Sequence, residues 1–345
     1  MAKRRKKNRG KKIALSFLCI VLGLILAVLV GGTVWVNSFL NQIDREQMNA
    51  HETLSEEEIN LILNETEPED VDFTGDIIDP EDIDLSQKAE VVIGQEDHII
   101  NILLIGQDAR PGQGRQRSDS MILCTVNTEK KTLVMTSFLR DLYVSIPDWN
   151  GKSYADNRLN VNYVFGGADM LNECLKQNFG VVVDHNIAVN FSGFEDVVDL
   201  VGGVDMELTS GEAHHVGGGA RAGMNHLNGE QALNYARIRK LDSDFGRTNR
   251  QRKVLMAILE KMKTLSLTEL LKLVEGIIPL VSTNMSNGDI MDYVSELFPM
   301  LTDLEITTQT IPAEGTYKGA SVRGMSVLVP DMEANRQILR DTIGG

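Results

Sequence analysis

Ile99-Ile100-Asn101-Ile102-Leu103-Leu104-Ile105-Gly106 decides how the rest of the chain is read. Six of the seven residues before Gly106 are aliphatic, and an apolar run without alternation is the pattern of a strand covered on both faces. Two more apolar runs, 121–126 and 132–138, enclose Asn127-Thr128-Glu129-Lys130-Lys131, which predicts a hairpin turn between strands. Further strands are expected at 187–191, 204–208 and 305–311. Helical periodicity appears at 168–178, 194–200, 229–237, 248–263, 267–278 and 289–301, and a closing helix takes Asp331 as its N-cap. Strands interleaved with helices imply an α/β (α+β) domain, a central mixed β-sheet with helices on both faces.

Outside that domain the charge is unevenly placed. The 345 residues carry a net charge of −15. Eight Lys or Arg occupy residues 1–12, nineteen acids against Arg45 and Lys88 occupy 44–97, and residues 98–345 keep −6. With 5% aromatics and its excess basic charge confined to the first dozen residues, the chain lacks the footprint of a nucleic-acid binder, and no nucleic-acid partner is expected. Residues 13–36 are 24 uncharged, mostly aliphatic positions, and as a helix they span roughly 36 Å, enough to cross a bilayer. A cleaved signal peptide has an apolar core of only about 7–15 residues and a small-residue cleavage site, which Thr33-Val34-Trp35-Val36 does not supply. The cations on one flank place the N-terminus in the cytoplasm and the remainder outside.

Four regions follow: a cytoplasmic basic tail at 1–12, a transmembrane helix at 13–36, an acidic extracytoplasmic stalk at 37–97 and an extracytoplasmic globular domain at 98–345. The stalk is strongly acidic and poor in aromatics, so burial cannot offset the entropy of ordering it. Within it, 54–63 could form a short helix with Ser55 as N-cap and Glu58 at N3. Cys124 and Cys174 are either an isolated bridge or two free thiols. Their apolar and helical settings favour free, buried thiols. His214-His215 precedes Gly217-Gly218-Gly219 with no third ligand at metal spacing, and reads as a flexible loop.

Polar residues cluster where the strands end. Asp108 and Arg110 follow the first strand, Arg117-Ser118-Asp119 precede the second, and Arg140-Asp141 close the third run. Two convergent carboxylates suit a hard divalent cation such as Mg²⁺. Asn228 as N-cap and Gln231 at N3 open a helix that closes on Arg237-Ile238-Arg239-Lys240. In the next helix, with Arg247 at zero on a wheel of about 100° per residue, Gln251 falls near 40°, Val254 near −20°, Leu255 near 80° and Ile258 near 20°. Arg247 and Gln251 therefore lie on the inward stripe, where an Arg requires a partner or a pocket. Several arginines beside an acid pair suit phosphate or pyrophosphate chemistry, because guanidinium forks match phosphate oxygens. A structural ion-pair network is the competing explanation.

The motifs 101–110, Arg117-Ser118-Asp119-Ser120-Met121 and Ser137-Phe138-Leu139-Arg140-Asp141 resemble the opening motifs of the LytR-CpsA-Psr family of cell-wall ligases. Residues 227–240 and Asp244-Phe245-Gly246-Arg247-Thr248-Asn249-Arg250-Gln251 resemble its closing motifs, and Arg158-Leu159-Asn160 and 189–204 its middle. The resemblance implies a membrane-anchored phosphotransferase. It would move a glycopolymer, such as teichoic acid or capsular polysaccharide, from an undecaprenyl pyrophosphate carrier to peptidoglycan through a phosphodiester. It further implies Asp108 and Asp119 as Mg²⁺-binding acids and Arg117, Arg140, Arg237, Arg239, Arg247 and Gln251 as the pyrophosphate set, with Arg110 beside them on the substrate. Leu139 stands where the family usually has Pro, which restores a backbone N–H. Either Asp108 or Asp119 could serve as base. The lipid would need an apolar tunnel, for which Val254, Leu255, Ile258, Leu259 and the stretch 270–278 are candidates. A pyrophosphatase using water as acceptor, or a non-catalytic anchored regulator, remain alternatives at this point.

Overall fold

The aliphatic run is paired on both edges, and a hydrophobic core covers each of its faces, which is why it is apolar throughout. The structure, a computed structural model, describes residues 57, 59, 62, 75–107, 116–239 and 241–344. β2 (Ile99–Gln107) lies between β3 (Ser118–Asn127), antiparallel to it, and β7 (His185–Asn190), parallel to it. Adding β4 (Thr132–Phe138), β10 (Ser282–Thr283) and β11 (Glu305–Ile311) gives a six-stranded mixed sheet in the order β10-β7-β2-β3-β4-β11. Asn127 and Thr132 pair across the expected turn, and Lys131 there adopts a positive φ of 54°.

Alternate residues of these strands enter two cores. Leu103, Ile105, Met121 and Leu123 pack beneath α1 (Val161–Phe179) and α8 (Met332–Ile343). Ile100, Ile122 and Met135 face α5 (Asp244–Met262) and α7 (Asn287–Leu297) on the other side. Each such side chain, when fully buried, contributes about 1.5–3 kcal/mol, so a one-residue slip of register would exchange two complete cores. The expectation of a mixed sheet with helices on both faces matches the described residues.

A second layer carries much of the site. α2 (Phe191–Leu200), β8 (Val204–Leu208), α3 (Ser210–Val216), β9 (Gly223–Leu227) and α4 (Gly229–Ala236) close around Val198, Val204, Leu227 and Tyr235. α6 (Leu267–Ile277) follows α5. Val254 belongs to this second core.

Several boundaries differ from expectation. α1 begins seven residues before 168, because Gly167 at φ 66°, ψ −153° bends the helix where the two glycines break the periodicity. Phe191 opens α2 rather than ending β7, since Asn190 accepts the Gly193 N–H at 2.8 Å and caps the helix. α7 stops at Leu297, and Pro299 falls in a 3₁₀ turn, Phe298–Asp303. The His214-His215 loop is in fact helical: Thr209 and Glu212 form a capping box that starts α3. A hairpin of β12 (Tyr317–Val322) and β13 (Met325–Pro330) was not expected.

The stalk also ends earlier than residue 97. β1 (Asp76–Ile77) adds in parallel to β12, Leu85 is buried in that sheet's core, and Ile93 bridges Val181. Arg336 ties the segment down by donating to Gln87 O at 2.6 Å and Asn178 O at 2.7 Å. Glu57, Ile59 and Ile62 are helical, and Ile59 enters the main core. Scattered apolar residues thus anchor a segment whose average composition reads as unfolded. Among the described residues no helix is long and apolar enough to cross a membrane; the span expected at 13–36 lies outside them.

Candidate active site

The site forms where β3 begins, β4 ends and the α4–α5 connection crosses above them. Asp119 stands at the second position of β3. Two residues after β4, Arg140 is buried at 6% exposure and donates from Nη1 to Asp119 Oδ1 at 3.0 Å. Leu139, in the position usually held by Pro, is wholly buried and its N–H donates to Ile311 O at 2.9 Å. The restored N–H is therefore bonded, and it links the end of β4 to β11.

α4 delivers the other cations. Its capping box forms as expected, with Gln231 N–H donating to Asn228 Oδ1 at 3.0 Å and Asn228 N–H to Gln231 Oε1 at 3.2 Å. Just past its last turn, the Arg237 guanidinium lies 4.2 Å above the centre of the Phe191 ring, a cation–π contact. Arg239 Nη2 reaches Asp119 Oδ2 at 3.5 Å. Asp119 is thus held between two guanidiniums.

Arg247 is 2% exposed, as the wheel predicts. It is not without an acid, however: Nη2 forms an ion pair with Asp244 one turn earlier. None of its guanidinium nitrogens has a well-formed hydrogen bond, and burial pulls its pKa below the usual arginine value, opposed by Asp244. Gln251 Oε1 accepts from the Ser120 hydroxyl at 3.0 Å. Asp141 lies between Arg140 Nε at 3.4 Å and Arg158 Nε at 3.6 Å, and burial pushes its carboxyl up to about 6.

Two structural arginines escaped the sequence reading. Arg250, 3% exposed, forks onto Asp242 at 2.7 and 2.8 Å and donates to Ile238 O at 2.6 Å, bracing the loop that carries Arg239. The same wheel puts Arg250 only about 60° from Arg247, so the signal was present. Arg252 donates to Ser137 Oγ at 2.6 Å and Thr310 Oγ1 at 2.9 Å, tying α5 to the ends of β4 and β11.

These side chains wall a cavity of ≈ 580 Å³, lined by Arg140, Asp141, Arg237, Arg239, Asp244 and Arg247 together with His215. A second, almost wholly apolar cavity of ≈ 230 Å³ shares Arg237 with it and includes Gln251, Phe191, Leu104 and Ile258. A third, of ≈ 390 Å³, continues past Leu104, Ile187, Leu255 and Ile258 to Leu259, Leu270 and Val274. Most tunnel candidates therefore line one passage; Val254 lies in the second core instead. Cys124 faces this apolar cavity, so it is partly accessible while burial pushes its thiol up to about 12. Cys124 and Cys174 are both free thiols.

Asp119, Arg140, Arg237, Arg239, Arg247 and Gln251 are thus brought together. Arg117 Nη2 donates to Ile62 O at 2.8 Å, in the segment that precedes the domain. Asp108 and Arg110 lie outside the described residues. β2 ends at Gln107, which pairs with Ser118, so the chain leaves the sheet beside Asp119.

The LytR_cpsA_psr family model matches residues 70–342. The chain is 31% identical over 279 residues to the polyisoprenyl-teichoic acid–peptidoglycan teichoic acid transferase TagU of Bacillus anthracis, covering 79% of this chain and 80% of that protein. The Bacillus licheniformis protein of the same name is 37% identical over 222 residues, 62% and 70% of the two chains. The structure superposes on TagT bound to LIIa-WTA with a TM-score of 0.60 at 27% identity, over 76% of this chain and 97% of TagT. On the LytR-CPS2A-psr family protein YwtF (TagT) with bound octaprenyl pyrophosphate lipid the TM-score is 0.55 at 26% identity, with 76% and 97% covered. By its motifs, its fold and these matches, the chain belongs to the LytR_cpsA_psr family.

Proposed function

We propose that this chain transfers a glycopolymer from a polyprenyl pyrophosphate carrier to peptidoglycan, forming a phosphodiester and releasing polyprenyl phosphate. One observation carries this assignment: the arginine-walled cavity and the apolar passage meet at Arg237. A ligand that fills both has a doubly anionic head and a long hydrocarbon tail. The guanidiniums supply charge-assisted hydrogen bonds to the head, and each tail carbon removed from water contributes about 0.8 kcal/mol. The named activities of the TagU relatives and the octaprenyl pyrophosphate bound to TagT are of the same chemical kind.

Transfer needs little covalent chemistry from the protein. Arg140, Arg239 and Arg247 would hold the pyrophosphate oxygens and spread the charge of the transition state, while an acceptor sugar hydroxyl attacks in line. The arginines must be fixed before the substrate arrives, and the Asp242–Arg250 fork and Arg252 do this for their loop and helix. The structure carries no ligands or ions. Asp119 offers two hard carboxylate oxygens, one bonded to Arg140 at 3.0 Å and the other 3.5 Å from Arg239. That donor set fits Mg²⁺, which is bound through one or two carboxylates, substrate phosphates and retained waters. When bound by Asp119 and Asp108, the ion would neutralise pyrophosphate charge. Calorimetry should show weaker Mg²⁺ binding in Asp119→Ala; unchanged affinity would remove Asp119 from the ligand set.

The N-terminal tail would lie in the cytoplasm, with residues 13–36 in the bilayer and the catalytic domain outside. A reporter active only outside the cytoplasm, fused after residue 345, should be active. The donor site itself is tested by comparing octaprenyl pyrophosphate with octaprenyl monophosphate and inorganic pyrophosphate. The full lipid pyrophosphate should bind tightest, and equal affinity for all three would rule out a joined head-and-tail site.

A further inference from the structure

The residue that takes the proton from the attacking hydroxyl is not settled by the acids. Asp119 accepts from Arg140 at 3.0 Å and faces Arg239 at 3.5 Å, Asp141 lies between Arg140 and Arg158, and Asp244 is paired with Arg247. Each of these described carboxylates is therefore paired with at least one guanidinium, and the pairing occupies it on the side of the cavity's cations. His215 is the remaining proton acceptor on the wall of the cationic cavity. It sits in the last turn of α3, and its Nδ1 is 2.9 Å from Gly211 O, four residues earlier. A carbonyl can only accept, so Nδ1 carries a hydrogen, and of the two neutral tautomers this is the one that leaves Nε2 unprotonated. No described residue bonds Nε2.

We propose that His215 is the general base for acceptor activation, a role that rests on the transfer reaction proposed above. Nε2 takes the proton as the acceptor O–H bond breaks. The oxygen forms a bond to the glycan-bearing phosphorus, and the bond from that phosphorus to the bridging oxygen breaks, its electron pair leaving on polyprenyl phosphate. The imidazolium then returns its proton to water or to the released phosphate. The groups around His215 that set this chemistry are Arg140 and Asp141 after β4, Arg237 and Arg239 after α4, Asp244 and Arg247 on α5, and His214 beside it with ring centres 5.7 Å apart. The incoming pyrophosphate places negative charge beside the ring that receives the proton.

The test uses the full chain in detergent with a lipid pyrophosphate glycan donor and peptidoglycan acceptor. His215→Gln and His215→Asn place an amide near Nε2 and near Nδ1 respectively, and both are tolerable at an exposed position. Each should lower kcat by about 10²–10⁴-fold, the usual contribution of a general base. The donor KM and the calorimetric affinity for octaprenyl pyrophosphate should stay within about twofold. His215→Gly should regain part of its rate with added imidazole. Variants that keep kcat while wild type transfers would overturn the role of His215 alone. So would a raised KM at unchanged kcat, which would make the ring a cationic binding group. A wild-type protein that binds the donor but transfers nothing would overturn both this role and the transfer reaction.

Discussion

Replacing Arg247 by Met separates an arginine kept for ligand from one kept for folding. The side chain is 2% exposed and none of its nitrogens makes a well-formed hydrogen bond. Each unsatisfied buried polar group costs about 1–3 kcal/mol, and desolvation already lowers this arginine's pKa. Against that stands one ion pair, to Asp244, whose side chain is 21% exposed and opens on the same cavity. Loss of a fully buried pair costs about 3–5 kcal/mol. Here Asp244 can be rehydrated from the cavity, and Met fills similar volume without polar demand. The two effects nearly cancel, so the ligand-free melting temperature should stay within about 3 °C, since about 1 kcal/mol moves a domain of this size by about 2–4 °C. Pyrophosphate affinity should behave otherwise. Removing one guanidinium with two charge-assisted bonds of about 1.5–3 kcal/mol each predicts a loss of about 10²–10⁴-fold. Thermal melts and calorimetry with octaprenyl pyrophosphate on the full chain measure both. A fall of more than about 8 °C with affinity retained would refute the reasoning and make Arg247 a structural ion-pair member.

Asp141 titrates at about 6 because burial raises it, so protonation below that pH removes a negative charge between Arg140 and Arg158. Sulfate, dianionic throughout the range, should bind more tightly as pH falls from 7.5 to 5, and Asp141→Asn should abolish that dependence. The folded-state value is raised, so this group's stabilising contribution is complete below the unfolded pKa and is lost as pH rises through about 6; Asp141→Asn should therefore gain stability over wild type at pH 8 but not at pH 3.5. A β-carbon on Gly246 would lie 2.2 Å from the Asp242 carboxylate, so Gly246→Ala should break the fork on Arg250 and lower transfer at least tenfold, with Asp242→Asn as a milder mimic; equal activity would show that the fork does not position Arg239. Ile258→Trp should obstruct the apolar passage, weakening octaprenyl pyrophosphate while leaving inorganic pyrophosphate unaffected, and parallel losses for both would contradict a tail site there.

The parts of this protein that follow one period were legible in its sequence, and those set by long-range pairing were not. The β2 run announced a doubly covered strand, and the α5 wheel placed Arg247, Gln251 and Ile258 inward. Arg250 was equally visible on that wheel, but its partner Asp242 sits in the preceding loop, where periodicity is silent. His215 was hidden by the glycines beside it: Gly217-Gly218-Gly219 signalled a loop, while the Thr209–Glu212 capping box that starts α3 lay further upstream. The segment from 76 to 97 was misjudged because composition averages over a stretch in which a few residues, Leu85 and Ile93 among them, do all the packing. Leu139 shows the converse. Its departure from the family pattern raised a question about backbone path that only the bond to Ile311 O answers.

The central claim is that the cationic cavity and apolar passage serve one reaction, the movement of a phosphoglycan onto peptidoglycan. The most direct measurement incubates the full chain with a polyprenyl pyrophosphate-linked glycan carrying labelled phosphorus next to the sugar, together with peptidoglycan and Mg²⁺, and analyses muramidase fragments by mass spectrometry. The account predicts labelled phosphodiester adducts on wall fragments and polyprenyl monophosphate released in equal amount, both abolished in Arg140→Ala. Free phosphoglycan with unmodified wall fragments would contradict it and leave a lipid pyrophosphatase in its place.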